Sequence, residues 1–283
     1  MTIINPKTLF TDIDGARLSY LDYDGAGRAM ILLHATGFLP WLWHPIARRL
    51  SHEYRIIAPY FCDHRAAAPE EGGLSWGELA SDLSAFASKL SIKKPLMVGH
   101  SMGATVIALA AAFFGLEAEK MILIEPIFLP EDFYRSKISI EDHPLASKSI
   151  KRRNFWKDRN DAATYLRSKK LFSNWDDEML ELYLTYGMSE GEGGGLVLTC
   201  NPMREAALFM GGMSYNPWLA LQKITCPALV LEGRESENRR FIDLKKVASL
   251  MPRGEHRIID GAGHLIPMEK PREIADIIDE YFR

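Results

Sequence analysis

The stretch Pro95-Leu96-Met97-Val98-Gly99-His100-Ser101-Met102-Gly103-Ala104-Thr105-Val106-Ile107-Ala108-Leu109-Ala110 decides how this chain is read. Residues 95–99 are a short unbroken apolar run, which predicts a strand buried on both faces. Residues 102–114 read as a helix. Between them lies Gly-His-Ser-Met-Gly. As a bare pattern G-x-S-x-G is weak, because residue types near 7% each match by chance roughly once in ten chains of this length. The strand before it and the helix after it make it informative. A serine on so sharp a turn has its hydroxyl lifted clear of the sheet, and the helix start behind it offers positive potential and a free amide, that of Met102. The turn needs small residues at 99 and 103, where side chains would collide with the neighbouring strand and helix. Ser101 is the candidate nucleophile.

Working outward, residues 8–14 and 17–23 flank Asp14-Gly15-Ala16, a hairpin signal. Residues 29–34 and 55–59 are buried-type strands with a helix expected over 41–50. Ser75-Trp76-Gly77-Glu78 has the pattern of a capping box and opens a helix to about residue 90. Residues 121–125 are again strand-like. Such alternation implies an α/β protein with a mostly parallel sheet flanked by helices. Residues 127–218 show no strand alternation. Segments 151–170 and 176–186 read as amphipathic helices, the second with Met179, Tyr183 and Tyr186 on one face, and a glycine run at 191–195 breaks the stretch. The strand pattern resumes at 227–232 and 256–260, with helices over 243–251 and from Pro271 onward, where Ile274, Ile277, Ile278 and Tyr281 form a stripe. The expected organisation is a core of residues 1–126 and 219–283, interrupted by a helical cap over 127–218.

A serine hydroxyl needs a base to take its proton. Of eight histidines, His264 is the candidate: Gly261-Ala262-Gly263-His264 follows a strand and precedes the last helical region, which places it on the sheet edge that carries Ser101. His34, ending a strand, and His100, on the buried side of the turn, read as structural.

The order strand, Gly-His-Ser-Met-Gly, helix, strand, insertion, strand, Gly-Ala-Gly-His, helix resembles the α/β-hydrolase superfamily over nearly the whole chain. The resemblance implies an eight-stranded sheet, no cofactor and no metal. Leu32-Leu33-His34-Ala35-Thr36-Gly37-Phe38 resembles the family's His-Gly loop, with Ala35 where glycine is usual, and implies an oxyanion hole made by the amides of Thr36 and Met102. After the strand at 55–59, Tyr60-Phe61-Cys62-Asp63-His64-Arg65 replaces the family's Asp-x-x-Gly-x-Gly loop, and Asp63 and His64 read as supporting residues. The usual acid position, third after Gly233, holds Ser236, which cannot serve. The family's second acid position, at the end of the strand before the insertion, is Glu125. Glu237 and Glu235 are the alternatives.

The composition suits this reading. A chain of 283 residues with 47% apolar and 25% charged residues is ordinary globular material, and a net charge of −3 gives no reason to expect nucleic acid as a partner. Three scattered cysteines argue against a disulfide framework and for a reducing compartment. Neither a leader peptide nor a spanning segment is read, so a cytoplasmic protein without membrane partners is expected. The expected activity is cleavage of an ester-like acyl bond of a small to medium hydrophobic molecule through an acyl-enzyme on Ser101. Phe155, Trp156, Phe172, Trp175, Tyr183, Phe209, Met210, Met213 and Trp218 are candidates for the apolar pocket. The same triad also serves cofactor-free perhydrolases and carbon–carbon bond hydrolases, and the fold also hosts non-catalytic ligand-binding proteins.

Overall fold

The computed structural model describes residues 5–135 and 138–283. The chain opens with the hairpin of β1 (Lys7–Ile13) and β2 (Ala16–Asp22), whose turn is closed by Gly15 at φ 74°. There follow β3 (Arg28–Leu33), α1 (His44–Leu50), β4 (Tyr54–Pro59), α2 (Trp76–Lys89), β5 (Leu96–His100), α3 (Met102–Phe113) and β6 (Lys120–Ile124). Ser75 caps α2 by accepting a hydrogen bond from the Gly77 amide. The predicted helix at 41–50 is a 3-10 turn, Pro40–Trp43, running into α1.

The insertion contains α4 (Ala146–Lys151), α5 (Arg159–Arg167), α6 (Asp177–Tyr186), β7 (Met188–Glu190), β8 (Leu196–Leu198) and α7 (Pro202–Gly211). Two expectations are corrected here. Residues 151–170 do not form one helix, because Asp158 takes the Asp161 amide as an N-cap and holds the start of α5 at Arg159. Upstream, Trp156 is engaged in a backbone bridge with Leu196. Second, the stretch does contain strands: β7 and β8 pair antiparallel across the glycine run, where Gly193, Gly194 and Gly195 adopt φ of 87°, 92° and 73°. Strands of three residues are too short to show a period of two.

The chain returns to the core with β9 (Ala228–Gly233), α8 (Leu244–Ser249), β10 (Gly254–Ile259), α9 (Ile266–Glu269) and α10 (Pro271–Phe282). The eight-stranded sheet has the order β1-β2-β4-β3-β5-β6-β9-β10, antiparallel for β1–β2 and β2–β4 and parallel from β4 to β10. One face packs under α2, α3 and α8, the other under α1 and α10. Every residue from Met102 to Ala110 is buried, as a helix apolar all round should be. In α10 the buried stripe is Ile274, Ile277, Ile278 and Phe282, while Tyr281 is half-buried beside it with Lys120 over its ring. A third cluster joins the insertion to the loops after β3 and β10, with Phe38, Leu265 and Met268 packed on Trp156, Phe172, Trp175, Met179 and Tyr183. Among the described residues no helix is long and apolar enough to cross a membrane.

Candidate active site

Parallel strands deliver their C-terminal ends to one edge, and the sheet order sets what stands beside what. From β3 to β10 this edge carries in turn the Thr36 loop, Ser101, Glu125, the loop after Gly233 and the His264 loop. Ser101 leaves β5 with φ 54° and ψ −116°, an uncommon conformation for a residue with a side chain. Its amide still bonds to the Ile124 carbonyl at 2.9 Å, so the ladder holds the strained residue in place. The close packing expected around the turn is present. A Cβ at Gly99 would lie 2.6 Å from the Ala104 nitrogen, and one at Gly103 would lie 2.5 Å from the Leu33 carbonyl oxygen.

Glu125 repeats this arrangement one strand over. It also has positive φ, 49°, and its amide bonds to the Leu231 carbonyl at 2.8 Å. Two adjacent strands thus each end in a strained residue, at a cost of about 1–3 kcal/mol apiece that the surrounding lattice of hydrogen bonds must offset. The turn sends the Glu125 carboxylate along the sheet edge toward β9 and β10. At 1% exposure the carboxylate needs partners, and it has three. Gly233 N donates to Oε1 at 2.7 Å, Ser236 Oγ donates to Oε2 at 2.7 Å, and His264 Nδ1 lies 3.0 Å from Oε2.

The other ring nitrogen, His264 Nε2, lies 3.1 Å from Ser101 Oγ. A neutral imidazole protonated at Nδ1 satisfies both contacts: it donates to Glu125 and accepts from the serine hydroxyl. Ser101 is buried and the His264 side chain is 28% exposed. The backbone around the histidine is fixed from three sides. His100 Nε2 donates to the His264 carbonyl at 2.9 Å, Glu269 accepts from the Gly263 amide, and the Glu235 amide donates to the Ala262 carbonyl. Gly233 lies flush against this loop, since a Cβ there would come within 2.2 Å of the Gly263 carbonyl oxygen. Asn238 places its amide 3.0 Å from His264 Nδ1.

Thr36 lies in the turn after β3, closed by the Phe38 amide on the Ala35 carbonyl at 3.2 Å, with Gly37 at φ 76° beside the Glu205 carboxylate. Met102 is the first residue of α3, so its amide has no carbonyl within the helix. Both stand on the Ser101 edge of the sheet.

The remaining candidates lie elsewhere. Glu235 is exposed, and Glu237 is exposed and paired with Lys170 at 2.6 Å. Asp63 is exposed, and His64 faces Asp82 of α2 at 2.9 Å, where Arg65 also binds, so the loop after β4 is anchored to α2. His34 donates through Nδ1 to the Ala35 carbonyl and accepts the Phe61 amide at Nε2, bracing the Thr36 loop. Burial lowers His34 to about 4 and His100 to about 3, the latter helped by the neighbouring His264. Both are neutral scaffolding at physiological pH. Of the aromatic pocket candidates, Trp156, Phe172, Trp175 and Tyr183 join the cluster above the site, Phe155 is exposed, and Trp218 packs on Phe128 with its indole on the Leu129 carbonyl. Ser236 and Asn238 were missed as contributors. The signal was Ser236 itself, a hydroxyl at the place where a carboxylate was sought. Next to the site is a cavity about the size of one water, lined by His34, Ala35, Phe38, Leu42, His100 and Met268 among others.

Against known proteins, the profile described as the alpha/beta hydrolase family matches residues 30–277. N-formylmaleamate deformylase of Pseudomonas putida is 26% identical over 262 residues, covering 90% of this chain and 89% of that protein. An abhydrolase domain-containing protein of Alternaria alternata, AFT2-1, is 28% identical over 228 residues, covering 67% of this chain and 84% of its own length. Among solved structures, E-2-(acetamidomethylene)succinate hydrolase superposes with a TM-score of 0.82 at 20% identity, covering 98% of this chain and 99% of the other.

Proposed function

The chain belongs to the alpha/beta hydrolase family, and from that premise we propose that it is a serine hydrolase cleaving acyl bonds through a covalent intermediate on Ser101. The observation that carries the reading is the unbroken chain of contacts from Ser101 Oγ to His264 Nε2 at 3.1 Å and from His264 Nδ1 to Glu125 Oε2 at 3.0 Å. In this reading His264 accepts the Ser101 proton as Oγ attacks the acyl carbonyl, and Glu125 holds the ring in the Nδ1-protonated tautomer and stabilises its cation. The Thr36 and Met102 amides receive the oxyanion. The protonated histidine then gives its proton to the leaving group, and water, activated by the same base, releases the acid. No metal or cofactor enters these steps. Residues 127–218 act as a cap over the site. The cavity between the loop after β3 and the loop after His264 holds about one water, and in this reading substrate enters when the cap shifts. The apolar character of the covering cluster favours a small or medium acyl group, and the enzyme works in the cytoplasm.

Ester and amide leaving groups pass through the same intermediate. The relative in Pseudomonas putida, matched along nine-tenths of this chain, is named a deformylase, so carbon–nitrogen cleavage is the second reading. A fluorophosphonate probe tests the common part. Labelling at Ser101, located by peptide mass and lost in Ser101→Ala and His264→Ala, supports it. A folded protein that takes no label overturns it. Paired p-nitrophenyl esters and p-nitroanilides of one acid then separate the two leaving groups.

A further inference from the structure

Among the described residues, two buried indole nitrogens have no hydrogen-bond partner in the protein, those of Trp156 and Trp175. An indole N–H is a donor only, and a buried donor left unpaired is uncommon enough to require a reason. The two stand in different places. Trp156 belongs to the insertion's own packing, with its backbone on Leu196 and its ring beside Tyr165 and Arg153.

Trp175, 7% exposed, instead stands against the loop that carries Thr36. Its ring meets Phe38 edge-on, centroids 5.5 Å apart, and Phe38 lies two residues after Thr36. The next residue, Asp176, donates its amide to the Met268 carbonyl at 2.9 Å, four residues after His264. Trp175 and Asp176 together therefore join the Thr36 loop to the His264 loop. Its surroundings are Phe172, Tyr183, Leu265 and Met268. The Tyr183 hydroxyl already faces the Arg152 guanidinium, which is itself paired with Glu205 at 2.7 Å. Trp175 Nε1 is thus the uncommitted donor of the ring that stands against the Thr36 loop.

We propose that Trp175 is a specificity-determining residue whose indole N–H receives a second acceptor oxygen of the substrate, a keto or carboxylate oxygen in the acyl chain beyond the scissile carbonyl. This rests on the acyl-enzyme reading above. A buried, uncommitted donor is the arrangement that discriminates most strongly, because a substrate lacking the acceptor leaves the donor buried and unpaired.

The test compares p-nitrophenyl 4-oxopentanoate with p-nitrophenyl pentanoate, which differ by one carbonyl oxygen. The native protein should prefer the oxo ester in kcat/KM. Trp175→Phe, which keeps a ring and removes the N–H, should lose about tenfold on the oxo ester, through KM, and less than about twofold on the pentanoate. Equal losses on both esters would reduce Trp175 to packing and overturn the proposal, as would an unchanged oxo-ester rate. If the variant does not fold, the native protein decides alone: parity between the esters overturns the proposal. Native protein that hydrolyses neither ester and takes no fluorophosphonate label fails the acyl-enzyme reading, a result distinct from labelled protein that shows no preference.

Discussion

Glu125 shows how much of a site can depend on one backbone angle. With φ at 49° it turns its carboxylate along the sheet edge, where Gly233, Ser236 and His264 surround it. Glu125→Gln keeps the shape and removes the charge, so the protein should fold while kcat falls by roughly 10³–10⁴, the scale seen when a triad acid is made an amide. Unchanged turnover in steady-state assays would rule Glu125 out as the acid. Ser236→Ala deletes one donor to Oε2 and should cost about tenfold in kcat with little loss of stability, near the worth of one hydrogen bond to a charged group. The turns that carry Ser101 and His264 were legible because glycines and adjoining strands mark them. Glu125 was expected first, with Glu237 and Glu235 as alternatives, and which of the three lies against His264 depends on how far β6 and β9 reach past one another. That register is a contact between segments more than a hundred residues apart, and no local pattern records it.

At the scale of elements, the joint between α3 and β3 leaves no room for a side chain. Gly103→Ala would drive a methyl to within 2.5 Å of the Leu33 carbonyl oxygen and 2.7 Å of that of His34. It should destabilise the fold by about 3 kcal/mol or more, as overpacking against backbone does. A urea midpoint equal to that of the native protein would contradict this. By contrast, α6 adds surface contacts to its buried packing on Phe38: the two-pronged Arg48–Glu178 pair at 2.5 and 2.7 Å and the Trp41–Tyr186 stack at 3.7 Å. That stack accounts for Tyr186, which shares a face with Met179 and Tyr183 yet lies at the rim. Arg48→Ala should cost less than about 1 kcal/mol, because exposed ion pairs contribute little. A larger loss in thermal melts would show that this pair bears on the core. The long strands and helices of the core could be read from their periods. The β7–β8 hairpin could not, since its three-residue strands are specified by their pairing and by glycines at positive φ.

For the molecule as a whole, the buried histidines tie stability to pH. In the folded state His34 and His100 titrate at about 4 and about 3, against an ordinary value near 6.5. As pH falls below about 6.5 the unfolded chain takes up a proton at each while the folded chain does not. Stability is therefore full above 6.5 and declines toward pH 4, by up to about 1.4 kcal/mol per pH unit for each histidine. Urea unfolding midpoints at pH 7.5, 6 and 5 check this, and a flat series would refute it. The α/β architecture was legible because alternation and burial patterns repeat along the chain, whereas the packing of the insertion on the loops depends on meetings that have no such repetition. One further consequence comes from the ladder between β6 and β9, which pairs the strand leaving the core with the strand returning to it. Because the excursion over residues 127–218 departs and re-enters at neighbouring points, its length and content can be exchanged between lineages without disturbing the register beneath. A change in the excursion would thus alter what covers this edge of the sheet while the paired strands keep their places.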